Sequence, residues 1–104
     1  MLVALSMTGE TQILIEELEL GNFPKDRKLV VRVDSMNKGT NPRGPKFYGR
    51  LSDPTGELRF SLWDEAAPFR ESDKVELTNL FKVSEYEGKL ELQLGRYFKV
   101  SKAK

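Results

Sequence analysis

KFYGRLSDPTGELRFSLWDE, Lys46 to Glu65, is the stretch that decides the fold. It reads as two strands joined by a tight turn. In Asp53-Pro54-Thr55-Gly56, proline presets φ at the second turn position and glycine accommodates φ > 0. After the turn, Leu58, Phe60 and Leu62 alternate with Arg59, Ser61 and Trp63. Before it, Phe47, Gly49 and Leu51 alternate with Tyr48, Arg50 and Ser52. Period two sends successive side chains to opposite faces, so each strand has an apolar face for a core and a second face toward solvent. The solvent face then collects Tyr48, Arg50, Arg59 and Trp63. Two rings and two guanidinium groups on one open sheet suit stacking against bases and holding phosphates.

A chain of 104 residues suits one domain with one core. No apolar run approaches the length that spans a bilayer, and Met1–Met7, MLVALSM, is too short for a signal peptide and lacks a basic start. An intracellular location is expected, cytoplasm or nucleoid in a prokaryote and nucleus in a eukaryote, with no membrane partner. The chain has no cysteine and no histidine. That removes disulfides, thiolate chemistry, zinc sites built on those side chains and the usual general base. The acids show no calcium-loop spacing, so no metal and no cofactor is expected. No nucleophile–base pair, glycine-rich phosphate loop or paired-carboxylate site emerges, which points away from an enzyme.

Net charge is only +1, but it is unevenly placed. Pro24 to Arg50 holds eight bases against two acids, and Leu80 to Lys104 holds six against three. Between them, Leu51 to Asn79 holds three bases against seven acids, and Glu10 to Phe23 holds four acids and no base. Two basic blocks in a near-neutral chain are able to form one positive face; an ordinary mixed surface is the alternative.

Outward from the central hairpin, Arg27 to Met36 (RKLVVRVDSM) is β-branched and alternating, with Leu29, Val31 and Val33 on one face. Asn37 to Pro45 (NKGTNPRGP) is a loop by every local signal and carries Lys38 and Arg43. Gln12 to Leu20 is compatible with a strand or a short helix until Gly21-Asn22-Phe23-Pro24 breaks it; an extended lead-in sealing one end of the core through Ile13, Ile15 and Leu18 is expected. Downstream of the hairpin, Asp64 or Glu65 begins a short helical turn that Pro68 limits, with Ala66, Ala67 and Phe69 plugging the core from below. Asp73 to Tyr86 is a long strand whose alternation loses phase at Asn79-Leu80-Phe81, the mark of a bulge or bend. Glu87-Gly88 turns the chain into a last strand, Lys89 to Val100, with Leu90, Leu92 and Leu94 inward and Gly95 as a bend. Residues 1–11 form a flexible lead, 12–100 the domain, and 101–104 a basic tail expected to fray. The order is strand, loop, strand, strand, short helix, strand, strand. That is the layout of an all-β, five-stranded Greek-key OB-fold barrel with a short helix between strands 3 and 4.

Specific motifs carry a family resemblance. Asp53-Pro54-Thr55-Gly56 followed by Ser61-Leu62-Trp63-Asp64-Glu65 resembles the single-stranded-DNA-binding OB domains of archaeal replication protein A and of the small DNA-binding subunit of the human SOSS complex, which show D-x-T-G, a short strand and [VL]-W-D. Asp73-Lys74-Val75-Glu76-Leu77 resembles that family's entry to its fourth strand, with Ser72 in place of the usual glycine. Tyr86-Glu87-Gly88-Lys89-Leu90-Glu91-Leu92 and Gly95-Arg96 resemble its last hairpin. Ile15-Glu16-Glu17-Leu18 and Lys28 to Val33 resemble its opening. The likeness covers roughly residues 12 to 100. It implies stacking aromatics at Trp63, Phe81 and Tyr86. Gln93 falls near a further aromatic of some relatives and can hydrogen-bond but not stack.

The candidate binding residues are therefore Trp63, Tyr86, Phe81 and Tyr48 for bases, Gln93 beside them, and Arg59, Arg50, Arg32, Lys46 and Lys82 for phosphates, with Lys38 and Arg43 clamping from the loop. Trp63 leads, because its strand parity exposes it; packing on Pro68 or Phe69 is the alternative. The expected function is non-enzymatic binding of single-stranded nucleic acid, DNA before RNA, in replication or repair alongside partner proteins. Two alternatives stand beside it: an OB-fold protein–protein contact subunit of a larger complex, and an RNA-binding OB domain.

Overall fold

A computed structural model describes residues 11–64 and 67–103. Among these residues nine strands form one sheet: β1 (Thr11–Ile13), β2 (Gly21–Asn22), β3 (Arg27–Lys38), β4 (Phe47–Asp53), β5 (Gly56–Leu62), β6 (Lys74–Thr78), β7 (Lys82–Tyr86), β8 (Lys89–Gln93) and β9 (Lys99–Lys102). Hydrogen bonding runs β2-β7-β8-β5-β4-β3-β6-β9, and β1 joins β3 in parallel. β6 and β7 lie at opposite sides of this path, yet only Asn79, Leu80 and Phe81 separate them in the chain. The expected fourth strand is thus one long strand kinked in two, and its kink curls the sheet back on itself. Asn79 makes the kink with φ 57°, a left-handed conformation that asparagine tolerates better than most side chains.

The central hairpin has the register its alternation demands. Phe47 pairs with Leu62, Arg50 with Arg59 and Asp53 with Gly56. Its inward residues Leu51, Leu58, Phe60 and Leu62 join Leu29, Val31, Val33, Val75, Leu77 and Leu92 in the buried core. Gly49 takes the one inward position with no side chain. A Cβ there would lie 2.0 Å from the Ser35 carbonyl oxygen, beside the register shift between Val33 and Ser35 where β3 pairs with β4.

The lead-in is partly extended. After β1 a 3-10 turn, Ile15–Glu17, buries Ile15 against the hairpin end. The Asp53 turn holds it there. Asp53 Oδ2 accepts from the Ile15 N–H at 2.8 Å, and Thr55 Oγ1 accepts from the Glu16 N–H at 3.1 Å. The other Asp53 oxygen closes its own turn, accepting from the Thr55 N–H and hydroxyl and the Gly56 N–H.

Three expectations need correction. The short helix between the third and fourth strands is not formed: Ala67 to Asp73 is irregular, while Glu65 and Ala66 lie outside the described residues. Ser72 (φ 75°) turns this segment, Asp73 Oδ2 accepts from the Arg70 N–H and the Ser72 N–H donates to the Val33 carbonyl oxygen, so these groups are paired without a helix. Phe69 still fills the core from this side, edge-on to Phe60 with ring centres 5.8 Å apart. The last strand stops at Gln93 and resumes as β9, because Gly95 adopts φ 58° between them. Ser101 and Lys102, expected to fray, pair with Glu76 and Val75. The lead of residues 1–10 lies outside the described residues. Among the described residues no helix is long and apolar enough to cross a membrane.

Candidate functional site

Strand pairing alone builds the floor of the site. On the outer face, register aligns Asn37, Tyr48, Ser61, Gln93 and Lys82 in one row across five strands. The next row aligns Ser35, Arg50, Arg59, Glu91 and Ser84. Trp63 follows β5 on the same parity as Arg59 and Ser61, and Tyr86 follows Lys82 and Ser84 on β7.

Two adjoining hollows lie over this floor. One, of about 720 Å³, is walled by Trp63, Phe81 and Tyr97, with Lys82 and Arg96 among its lining. The other, of about 560 Å³, is walled by Tyr48, Trp63 and Tyr86, with Arg59 and Glu91 below and Asn41 and Pro45 contributed by the loop. Trp63 and Gln93 belong to both, so the indole stands where the hollows meet. Trp63 is 43% exposed and Tyr97 79%. Six large apolar side chains are exposed among the described residues, and five of them line these hollows; Leu20 is the sixth. Large apolar groups gathered on one surface mark a contact site rather than ordinary scatter.

Polar groups hold the rings. The Trp63 Nε1–H donates to Gln93 Oε1 at 2.8 Å. Gln93 Nε2 donates to Glu91 Oε1 at 2.8 Å and to Ser84 Oγ at 2.9 Å. The Arg59 guanidinium lies 4.7 Å from the centre of the Tyr86 ring, and Lys82 Nζ lies 5.1 Å from that of Phe81. Phe81 itself is placed by Gly95. A Cβ on that glycine would come within 2.9 Å of the Phe81 Cβ. The Phe81 N–H donates to the Gln93 carbonyl oxygen, and its carbonyl oxygen accepts from the Phe23 N–H, so both its backbone groups are engaged.

The sequence-predicted residues divide by position. Trp63, Phe81, Tyr86, Tyr48, Gln93, Arg59 and Lys82 all line the two hollows. Lys38 and Lys46 share a third hollow with Thr40, Asn41 and Pro42, next to the second one through Asn41. Arg43 is exposed in the same loop and lines none of the three. Arg50 neighbours Arg59 across the hairpin but lies 3.8 Å from Glu57, and Arg32 lies 3.9 Å from Asp34. Neither arginine lines a hollow. Sequence reading missed Tyr97, Arg96 and Asn79. Tyr97 and Arg96 follow Gly95 directly, and a glycine that breaks a strand is the signal that would have freed them from its alternation. Asn79 Nδ2 donates to the Tyr97 carbonyl oxygen at 2.7 Å and so ties the kink to the wall of the hollow.

The curled sheet has solved counterparts. The OB domain of a Methanosarcina mazei protein superposes with a TM-score of 0.73 at 20% identity, covering 90% of this chain and 84% of that one. The OB domain of a Thermoplasma acidophilum protein gives 0.70 at 18% identity, covering 88% and 86%. This chain has the OB fold. A murine DNA-binding protein bound with double-stranded DNA is also similar, with a TM-score of 0.53 at 25% identity over 73% of this chain and 40% of that one. The chain matches no protein-family model and no curated protein by sequence. On this OB fold, the first hollow lies between the β6–β7 kink, β7 and the segment after β8, and the second lies over the outer face of the β4–β5 hairpin and β8, beside the β3–β4 loop.

Proposed function

We propose that this OB domain is a non-enzymatic module that binds single-stranded nucleic acid, DNA in preference to RNA, and serves replication or repair. One observation carries the reading: among the described residues, five of six exposed large apolar side chains are aromatic rings gathered around two hollows that meet at Trp63. Every base has a π-face, so a run of rings accepts an unpaired strand whatever its sequence. Lys82 and Arg96 line the first hollow, and Lys38 and Lys46 line one beside the second; in this reading they meet the phosphates between stacked bases. A nucleic-acid partner is also supported by the murine neighbour, a DNA-binding protein bound with double-stranded DNA. That DNA is duplex, whereas exposed rings favour unpaired bases, because a duplex hides its base faces in its own stack.

The test is a fluorescence titration of Trp63, the one tryptophan of the chain. Oligo-dT is expected to quench it, added salt to reverse the quenching, matched RNA to bind more weakly and matched duplex weakest. Trp63→Ala, read by the anisotropy of labelled oligo-dT because the substitution removes the tryptophan signal, is expected to lower affinity by about 1–3 kcal/mol, the contribution of one stacked base. Tighter binding of duplex than of oligo-dT would overturn the reading. So would an absence of quenching, which is what the protein-contact alternative expects.

A further inference from the structure

We infer that Arg59, Glu91 and Gln93 are positioning residues that hold Tyr86 and Trp63 as paired stacking platforms, with the Arg59 cation committed to Glu91 rather than to a phosphate. This inference rests on the binding site proposed above. It starts from an oddity: a groove suited to a polyanion has a carboxylate in its floor. Glu91 is only 8% exposed. A buried charge persists where partners hold it, and Glu91 has two. Its Oε2 lies 3.6 Å from Arg59 Nε, and its Oε1 accepts from Gln93 Nε2 at 2.8 Å.

Those contacts propagate to both rings. Glu91 only accepts, so the Gln93 amide must turn its nitrogen toward Glu91 and its oxygen the other way. That oxygen meets the Trp63 Nε1–H, a group that only donates. The carboxylate thereby orients the amide, and the amide anchors the indole edge while its faces stay open to the two hollows. On the other side, Arg59 Nε is buried without a hydrogen-bond partner and faces the Glu91 carboxylate as an ion pair, while the guanidinium lies against Tyr86. Rings held in place before the strand arrives lose less freedom on binding.

Simple Coulomb reasoning predicts the opposite sign, which makes the inference testable. Removing an acid from the groove should tighten binding to a polyanion; removing a positioning residue should weaken it. The variants are Glu91→Ala, Gln93→Leu and Arg59→Gln, with folding checked by circular dichroism. In free protein, the fluorescence anisotropy decay of Trp63 is expected to gain a fast component in Glu91→Ala and in Gln93→Leu. Oligo-dT affinity is expected to fall about tenfold in all three. The slope of log K against log salt is expected to stay unchanged in Arg59→Gln, whereas Lys82→Gln loses about 0.7, the value of one single-strand phosphate contact. Tighter binding by Glu91→Ala, an unaltered Trp63 decay in Gln93→Leu, or a slope loss in Arg59→Gln equal to that in Lys82→Gln would each overturn it. If the wild-type protein fails to bind oligo-dT, the function proposed above falls, and the Trp63 decay of the free variants still decides the positioning role.

Discussion

Asp53 shows how much one side chain can organise. Burial works to raise its pKa, but hydrogen bonds from the Thr55 hydroxyl and from the Ile15, Thr55 and Gly56 N–H groups outweigh burial and hold the carboxyl below its ordinary value of 3.8. The sign follows from linkage. A depressed folded pKa gives stability that is fully present above 3.8 and is lost as pH falls through the folded value. Urea unfolding across this acid range is expected to show that loss, and Asp53→Asn is expected to flatten it while costing about 2 kcal/mol near neutrality. Ser72 makes a prediction of opposite direction. Its φ of 75° strains any residue with a Cβ, and the resemblance places a glycine there. Ser72→Gly is therefore expected to raise stability by about 1 kcal/mol, read as a higher urea midpoint at constant slope. The exposure of Trp63 was legible from strand parity alone. Its bond to Gln93 was not, because the two residues lie 30 positions apart and meet only through the β5–β8 register.

Among the elements, the hairpin of β4 and β5 was legible because alternation, turn chemistry and length agree with one another. The fourth strand was legible only in part. Its loss of phase at Asn79 announced a break, but no local signal says that a strand turns there to pair with two different neighbours, β3 and β8. The expected helix failed for a related reason. Irregular backbone, held at Arg70 by Asp73 and turned at Ser72, fills the same gap, and Phe69 needs no helix to reach Phe60. Glycines that appear permissive in sequence are strict where other atoms come close, and Gly49 and Gly95 bear on the core and the site. Gly49→Ala would drive a methyl group into the Ser35 carbonyl and against Phe60, both fixed within the packed sheet. It is expected to cost more than about 3 kcal/mol, or to abolish folding. Gly95→Ala meets both a left-handed φ and the Phe81 side chain. It is expected to displace that ring and weaken oligo-dT binding more than it lowers the unfolding midpoint.

For the whole molecule, a net charge of +1 says little about polyanion binding until the fold distributes it. The curled sheet brings Lys82 and Arg96 to one hollow and Lys38 and Lys46 beside the other, while Arg32 and Arg50 stay with acids of their own strand or hairpin. Exposed pairs of that kind contribute little to stability, but they leave fewer free cations than the basic blocks suggested. Binding is accordingly expected to show a moderate salt dependence, with a slope near three rather than one for every base in the two blocks. Ring-proton NMR reads directly whether unpaired bases lie on the five rings. On adding oligo-dT, the ring protons of Tyr48, Trp63, Phe81, Tyr86 and Tyr97 are expected to move upfield, while those of the core rings Phe60 and Phe69 stay in place. Saturation that leaves the five exposed rings unmoved would contradict the account.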